Sequence, residues 1–340
     1  MMPVEIVNIE NSNNSSNSNN SVDKYNYQYF NDQYNRIWEL CKMDKLKIAH
    51  NLLIELEYIL ENEIGLINQL SNENEQFKDI IESIKSEKRF HQLKKEMDEI
   101  FDLQKQASSD FKSEGWVEIS NTQGILSMYR DNGHGMHSIR IEGVVDSPIF
   151  DVCSVIMEVD LYSTWIPRLL ESKILDQDSR FKKWIYCKSS CPWPVADRDI
   201  CLYGYGVDML EEEDLIVVVS KSMSEADIET NAKVKENLPK ANTSTVRVDT
   251  RISGFTLKPL SKDKTFVQVV ALTDPRMKLI PYWLLNFVTN QFCHYLFVML
   301  RKQSLNVSKS NEYQTRITSN PIYKEIKEKS EFYFNTKHHQ

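Results

Sequence analysis

Residues Cys191–Gly206 read CPWPVADRDICLYGYG. Pro192 and Pro194 have no N–H to give to a strand ladder, so this stretch is a loop at a strand end. Trp193, held between them, suits a cavity rim or the headgroup level of a membrane. Asp197, Arg198 and Asp199 offer a local ion-pair network where the strand resumes. Gly204 and Gly206 share one strand face, where they bend the strand or leave room for a ligand.

Around this corner the pattern is that of short strands. WVEIS and ILSMYR flank Asn121-Thr122-Gln123-Gly124, a hairpin signal, and HSIRIEGVVD alternates after them. In SPIFDVCSVIMEVDLYSTWIPRLL, Ser147 is a cap candidate, Pro148 suits a first helical turn and Pro167 ends the run. Six further strands follow, separated by a polar loop at 222–242, with STVRVDTRISGFTLKPL read as one long strand. Residues 281–305 close the domain as a helix. Strands with one charged and one apolar face need cover on one side only, and nine in one sheet curl. The fold class expected is α+β: a curved antiparallel sheet gripping a long C-terminal helix.

Four phrases, HSIRIEGVVDSPIFDV, EVDLYSTWIPRLLESKIL, CPWPVADRDICLYGYG and ALTDPRMKLIPYWLLNFVTNQ, occur in order between Phe111 and Ser304 and resemble a START domain, the steroidogenic acute regulatory protein-related lipid-transfer family. The resemblance implies a helix-grip fold with an internal tunnel for one lipid, lidded by the C-terminal helix and neighbouring loops. It implies no ligand identity. Where phosphatidylcholine-binding members carry an Arg before the helix tryptophan and an acid after it, this chain has Tyr162 and Ile166 beside Trp165. Where sterol-binding members carry an acid and an Arg on neighbouring strands, it has Ile185 and Gly204.

Strand parity then assigns the lining. Lys188 shares a face with Trp184 and Tyr186, so Ile185, Cys187 and Ser189 turn inward. Leu202 and Gly204 follow. Val248, Thr250 and Ile252 follow too, because Arg247, Asp249 and Arg251 need solvent. The helix adds Val288, Phe292 and Tyr295, and Tyr162 and Trp165 are counted with the lining. Tyr162, Ser189 and Thr250 are the hydrogen-bonding candidates for a headgroup, and Trp193 is the membrane-contact candidate.

Ahead of this domain, residues 1–24 are Asn/Ser-rich and read as disordered. Residues 25–107 are helical throughout, with Leu46, Ala49, Leu53, Leu56 and Leu60 in step. Three or four antiparallel helices are expected there, as packing support or a protein-docking surface. The lipid-binding domain is assigned to 108–306, and 307–340 reads as a polar, flexible tail. That tail holds Asn320-Pro321-Ile322-Tyr323, which resembles a turn motif read by phosphotyrosine-binding-type adaptor domains.

Bulk properties narrow the function. A formal charge of −8 argues against nucleic acid as a partner. The six cysteines form no CxxC pair and stand at no zinc-ligand spacing from a histidine, so reduced thiols in the cytoplasm, without metal or cofactor, are expected. The N-terminus lacks the charged and apolar regions of a secretion signal. Leu279–Leu300 is uncharged and long enough to span a bilayer. Yet Asn286, Asn290 and His294, with Thr289 and Gln291, mark a polar stripe opposite Leu284, Val288, Phe292, Tyr295 and Met299, the pattern of a helix in a soluble fold. The reading is of a non-catalytic protein that binds one lipid and carries or senses it at membranes, with only transient membrane contact. The first rival is an adaptor acting through the N-terminal helices. The second is a helix-grip hydrolase or cyclase using His134 or His137.

Overall fold

The computed structural model describes residues 25–108, 114–177, 181–240, 244–277, 281, 283–284 and 287–337. The low-complexity N-terminus lies outside them. The chain forms two compact units divided after Met97.

The first unit is helical: α1 (Tyr27–Lys42), α2 (Leu46–Asn62), α3 (Ile64–Glu73), α4 (Glu75–Ser86) and the start of α5 (Lys88–Ser108). The apolar stripes seen in the sequence are its core, with Phe30, Leu53, Leu56, Phe77, Ile84, Phe90 and Met97 buried. More helices form than the three or four expected. No proline marks the breaks. Asn74 ends α3 in an extended conformation and caps α4 by accepting from the N–H groups of Gln76 and Phe77.

The second unit is built on a sheet in the order β1-β2-β3-β10-β9-β7-β6-β5-β4, with β8 (Thr245–Arg247) pairing parallel to β6. Its other members are β1 (Val117–Thr122), β2 (Ile125–Asp131), β3 (His137–Val145), β4 (Leu169–Gln177), β5 (Lys183–Ser189), β6 (Asp197–Met209), β7 (Leu215–Ser222), β9 (Asp249–Ser261) and β10 (Lys264–Asp274). Every pairing except that of β8 is antiparallel. The long strand expected from Ser244 onward is broken at Val248, whose N–H donates to the Asp199 carbonyl.

Between β3 and β4 lies α6 (Ile149–Met157), followed by single turns at Val159–Leu161 and Tyr162–Trp165. Ser147 does not cap α6: it is buried, and its carbonyl accepts from the Thr265 hydroxyl. Residues 222–242, read as a loop, include α7 (Glu225–Thr230) and α8 (Ala232–Asn237). Ser224 and Asp227 cap α7 reciprocally, and Val234 of α8 packs on Leu175, Tyr186 and Cys201. The face of β5 assigned to the outside is therefore covered by a helix. From Asp98 on, α5 also packs on the sheet: Glu99 takes a hydrogen bond from Tyr205, and the Ala107 carbonyl takes one from Gln268.

The C-terminal helix departs from the expected register. Residues Phe287–Cys293 are π-helical and lead into α9 (His294–Asn306). The wider π turn rotates everything after it relative to a 3.6-residue repeat. Cys293, Phe297 and Leu300 are buried, whereas Tyr295, expected on the apolar arc, is 48 % exposed. Asn286 lies outside the described residues, as do the side chains of Thr289, Asn290 and Gln291.

The tail is not loose. It forms α10 (Asn311–Ser319) and α11 (Pro321–Lys337), and Tyr313, Ile322, Tyr323, Tyr333 and Phe334 are buried. Ile322, Ile326, Ser330 and Tyr333, three or four residues apart, turn one side of α11 inward, a stripe that its charged composition concealed.

Gly254 marks the closest backbone approach in the sheet. A Cβ there would lie 2.0 Å from the Val218 carbonyl oxygen and 2.6 Å from Leu103. At Gly206 a Cβ would meet only Phe181, at ordinary contact distance. Gly254→Ala should therefore cost about 2 kcal/mol or more in urea unfolding, against under about 1 kcal/mol for Gly206→Ala.

Candidate functional site

A cavity of about 320 Å³ lies against the inner face of β5, β6, β7, β9 and β10. Its floor contains a rung that crosses all five strands. Lys183 pairs with Gly204, Gly204 with Ser220, Ser220 with Ser253, and Ser253 with Ala271, and each of the five lines the cavity. Four of these are among the smallest side chains, so the sheet surface sinks there. Larger apolar groups surround the rung, including Ile185, Leu202, Val218, Phe255 and Val269. The two serine hydroxyls bond each other at 2.8 Å, leaving little polarity to offer.

Cover comes from two directions. Cys153, Ile156 and Met157 of α6, with Val159 and Tyr162 just after it, form one wall. Glu325, Ile326 and Lys329 of α11 form the other.

The α11 wall is fastened by charge. Arg316 on α10 bonds Glu158 at 2.6 Å and Asp160 at 2.8 Å, and the Tyr323 hydroxyl donates to the other oxygen of Glu158. Burial, then the Glu158 carboxylate, pushes the Tyr323 hydroxyl pKa well up. The hydrogen bonds to Asp160 and Glu158 raise that of Arg316. Lys329 bridges Asp208 and Glu325, and the Tyr333 hydroxyl donates to Asp214. Tyr323 is only 1 % exposed, so Asn320–Tyr323 is a folded helix start and not a motif open to an adaptor.

Of the residues expected to line the site, the structure brings together Tyr162, Ile185, Cys187, Leu202 and Gly204. Ser189 is the last residue of β5 and lies beyond the cavity. Val248 sits in the break between β8 and β9. The pairing slips at Arg251, between Thr250↔Thr273 and Ile252↔Leu272. That extra residue reverses the alternation, so Ser253, Phe255 and Leu257 line the cavity and Ile252 does not. Val288 and Phe292 pack on the core cluster beside the cavity, as does Trp165. Tyr295 is turned outward.

Two of the three expected headgroup partners have spent their hydroxyls. That of Tyr162 donates to the Ile156 carbonyl at 2.6 Å, and that of Thr250 pairs with Thr273 at 3.0 Å. Burial raises the Tyr162 pKa and pushes the Cys153 and Cys187 thiols up to about 12, so both cysteines are neutral lining groups at physiological pH. Lys183 was missed, although it is in phase with Ile185 and Cys187.

At the proline corner Trp193 is 91 % exposed. The acid–base–acid triplet is divided: Asp199 is buried and bonded twice by Arg247, while Arg198 donates to the Pro275 carbonyl. Neither His134 nor His137 lines the cavity. His134 is in an exposed turn, and the His137 ring is within 2.7 Å of the Tyr129 hydroxyl. Among the described residues no group of side chains could hold a metal ion, and no helix is long and apolar enough to cross a membrane.

A START domain model matches residues 98–308, and the chain belongs to the START domain family. The fold is similar to human STARD10 (14% identity, TM-score 0.53, covering 66% of this chain and 85% of that one). It is also similar to human StAR-related lipid transfer protein 5 (15% identity, TM-score 0.50, covering 61% and 93%). No curated protein matches the chain. The match ends just before α10, so the helices that wall one side of the cavity lie outside it.

If the ion pairs at Glu158 hold those helices in place, Arg316→Ala should lower stability by about 2 kcal/mol, discounted for partial exposure. Limited proteolysis should then cut within 309–337 faster than in the wild type.

Proposed function

We propose that the START domain of this chain holds one hydrophobic lipid in the cavity of the second unit and carries or senses it between membranes without changing it chemically. The observation that carries the reading is the floor of small residues ringed by Ile185, Leu202, Val218, Phe255 and Val269. Such a surface gains from desolvating a hydrocarbon, at about 25 cal/mol per Å² of apolar area buried. The volume falls at the low end of the ~300–1,000 Å³ usual for small-molecule sites, and the lipid-transfer name of a structural neighbour points the same way.

Membrane contact, on this reading, is made by the proline corner. Trp193 projects there, and Ser190 at its base donates to the Arg168 carbonyl. The Arg168 guanidinium in turn lies 5.3 Å from the centre of the Phe287 ring. An exposed indole at a loop tip suits a bilayer interface. Contact there is peripheral and transient, consistent with a protein of the cytoplasm.

Native mass spectrometry of protein expressed in lipid-rich cells tests the central point, since it reports occupancy and ligand mass together. An adduct of lipid mass is expected, and its absence from protein incubated with lipid vesicles would defeat the proposal. Ile185→Trp should fill the cavity and reduce lipid uptake about tenfold or more while the protein stays folded. Trp193→Asp should slow transfer from vesicles and leave stability within about 1 kcal/mol.

A further inference from the structure

The rung that makes the cavity floor begins with a charge. Lys183 lines the cavity, and its ammonium donates to the carbonyl of Met157, the last residue of α6, at 2.7 Å. An ammonium has three N–H donors, and this one spends a single donor on a neutral acceptor. Glu158 and Asp160 act on it through space and raise its pKa, but burial is the larger effect, and the balance lies below the usual lysine value. Those carboxylates are themselves bonded by Arg316 and Tyr323. The other cation of the lining, Lys329, is taken up by Asp208 and Glu325. Among the described residues, Lys183 is therefore the cavity cation with no carboxylate in ion-pair contact.

A partly desolvated ammonium gains most from an oxyanion, because charge-assisted hydrogen bonds are the strong ones and a neutral hydroxyl leaves its charge unanswered. The small residues along the rest of the rung leave the acyl space directly beside it.

We infer that Lys183 is the headgroup anchor of this cavity and that the ligand is a single-chain amphiphile ending in a carboxylate or a phosphate monoester. The inference rests on the lipid-binding reading above and goes further by naming the headgroup chemistry and the residue that selects it.

The test uses full-length protein and phosphatidylcholine vesicles doped with oleic acid, oleoyl lysophosphatidate or oleyl alcohol, followed by recovery of the protein and native mass spectrometry. Retention of at least one anion should exceed that of the alcohol by about tenfold, and the two anionic arms tell carboxylate from phosphate. Lys183→Met should bring retention of the anion down to that of the alcohol in the same variant, and Lys183→Arg should restore the difference. Equal retention of the alcohol and both anions overturns the inference alone, as does a preference that survives in Lys183→Met or phosphatidylcholine itself as the occupant. Retention of no lipid overturns the lipid-binding reading and this inference together. The comparison of chain-matched acid and alcohol needs only the wild type, so a variant that fails to fold does not prevent a decision.

Discussion

The site depends on one rung of the sheet. Where Gly204, Ser220, Ser253 and Ala271 stand side by side on four adjacent strands, no side chain rises far enough to meet the elements opposite. Interiors normally close such gaps by interdigitation, because unfilled space forfeits dispersion contacts. Here the neighbours are fixed by other demands. Arg301 on α9 bonds the carbonyls of Gln123, Gly124 and Val144, which holds that helix over the β2–β3 side of the sheet. Met157 and Tyr162 stop at the rim of the depression. Among the described residues, the void follows from this row of small side chains.

The second constraint is electrostatic. A carboxylate as buried as Glu158 is tolerable only if its oxygens are answered, and both partners come from the C-terminal helices: Arg316 from α10 and Tyr323 from α11. Asp208 and Asp214, at the far end of β6 and the turn after it, draw Lys329 and Tyr333 in the same way. Four acids on the domain thus fix the position of a segment outside the family match. That segment closes one side of the cavity, so access from this side requires these contacts to part.

Much of the architecture was legible because periodicity survives in short windows. The β6 alternation put Leu202 and Gly204 on one face from a single strand, the β5 alternation did the same for Ile185 and Cys187, and all four border the cavity. The parity argument failed on β9 for a local reason: the extra residue at Arg251 cannot be seen without the partner strand. It failed on the helix because a π-helical stretch has no distinct residue pattern, so Tyr295 was assigned to the wrong face. Ser220, Ser253 and Ala271 were invisible as a set, since only cross-strand register brings them together. The C-terminal helices were lost to composition: charge density in Pro321–Lys337 masked the spacing of Ile322, Tyr323, Tyr333 and Phe334.

Size and stability connect the cavity to its occupant. An apolar void left empty forfeits dispersion contacts and weighs against the fold, the more so the larger it is. A chain could lower that cost with a few larger residues on the rung, since Gly204 has only Ser220 and the Val219 carbonyl at contact distance. Keeping the floor small makes sense when something else fills the space. An occupant that binds only the folded state stabilises it by RT ln(1 + [L]/Kd), so for this domain ligand retention and folding stability draw on the same apolar contacts. On the proposed reading, an occupant whose headgroup answers the Lys183 ammonium would fill this space without stranding that charge in hydrocarbon.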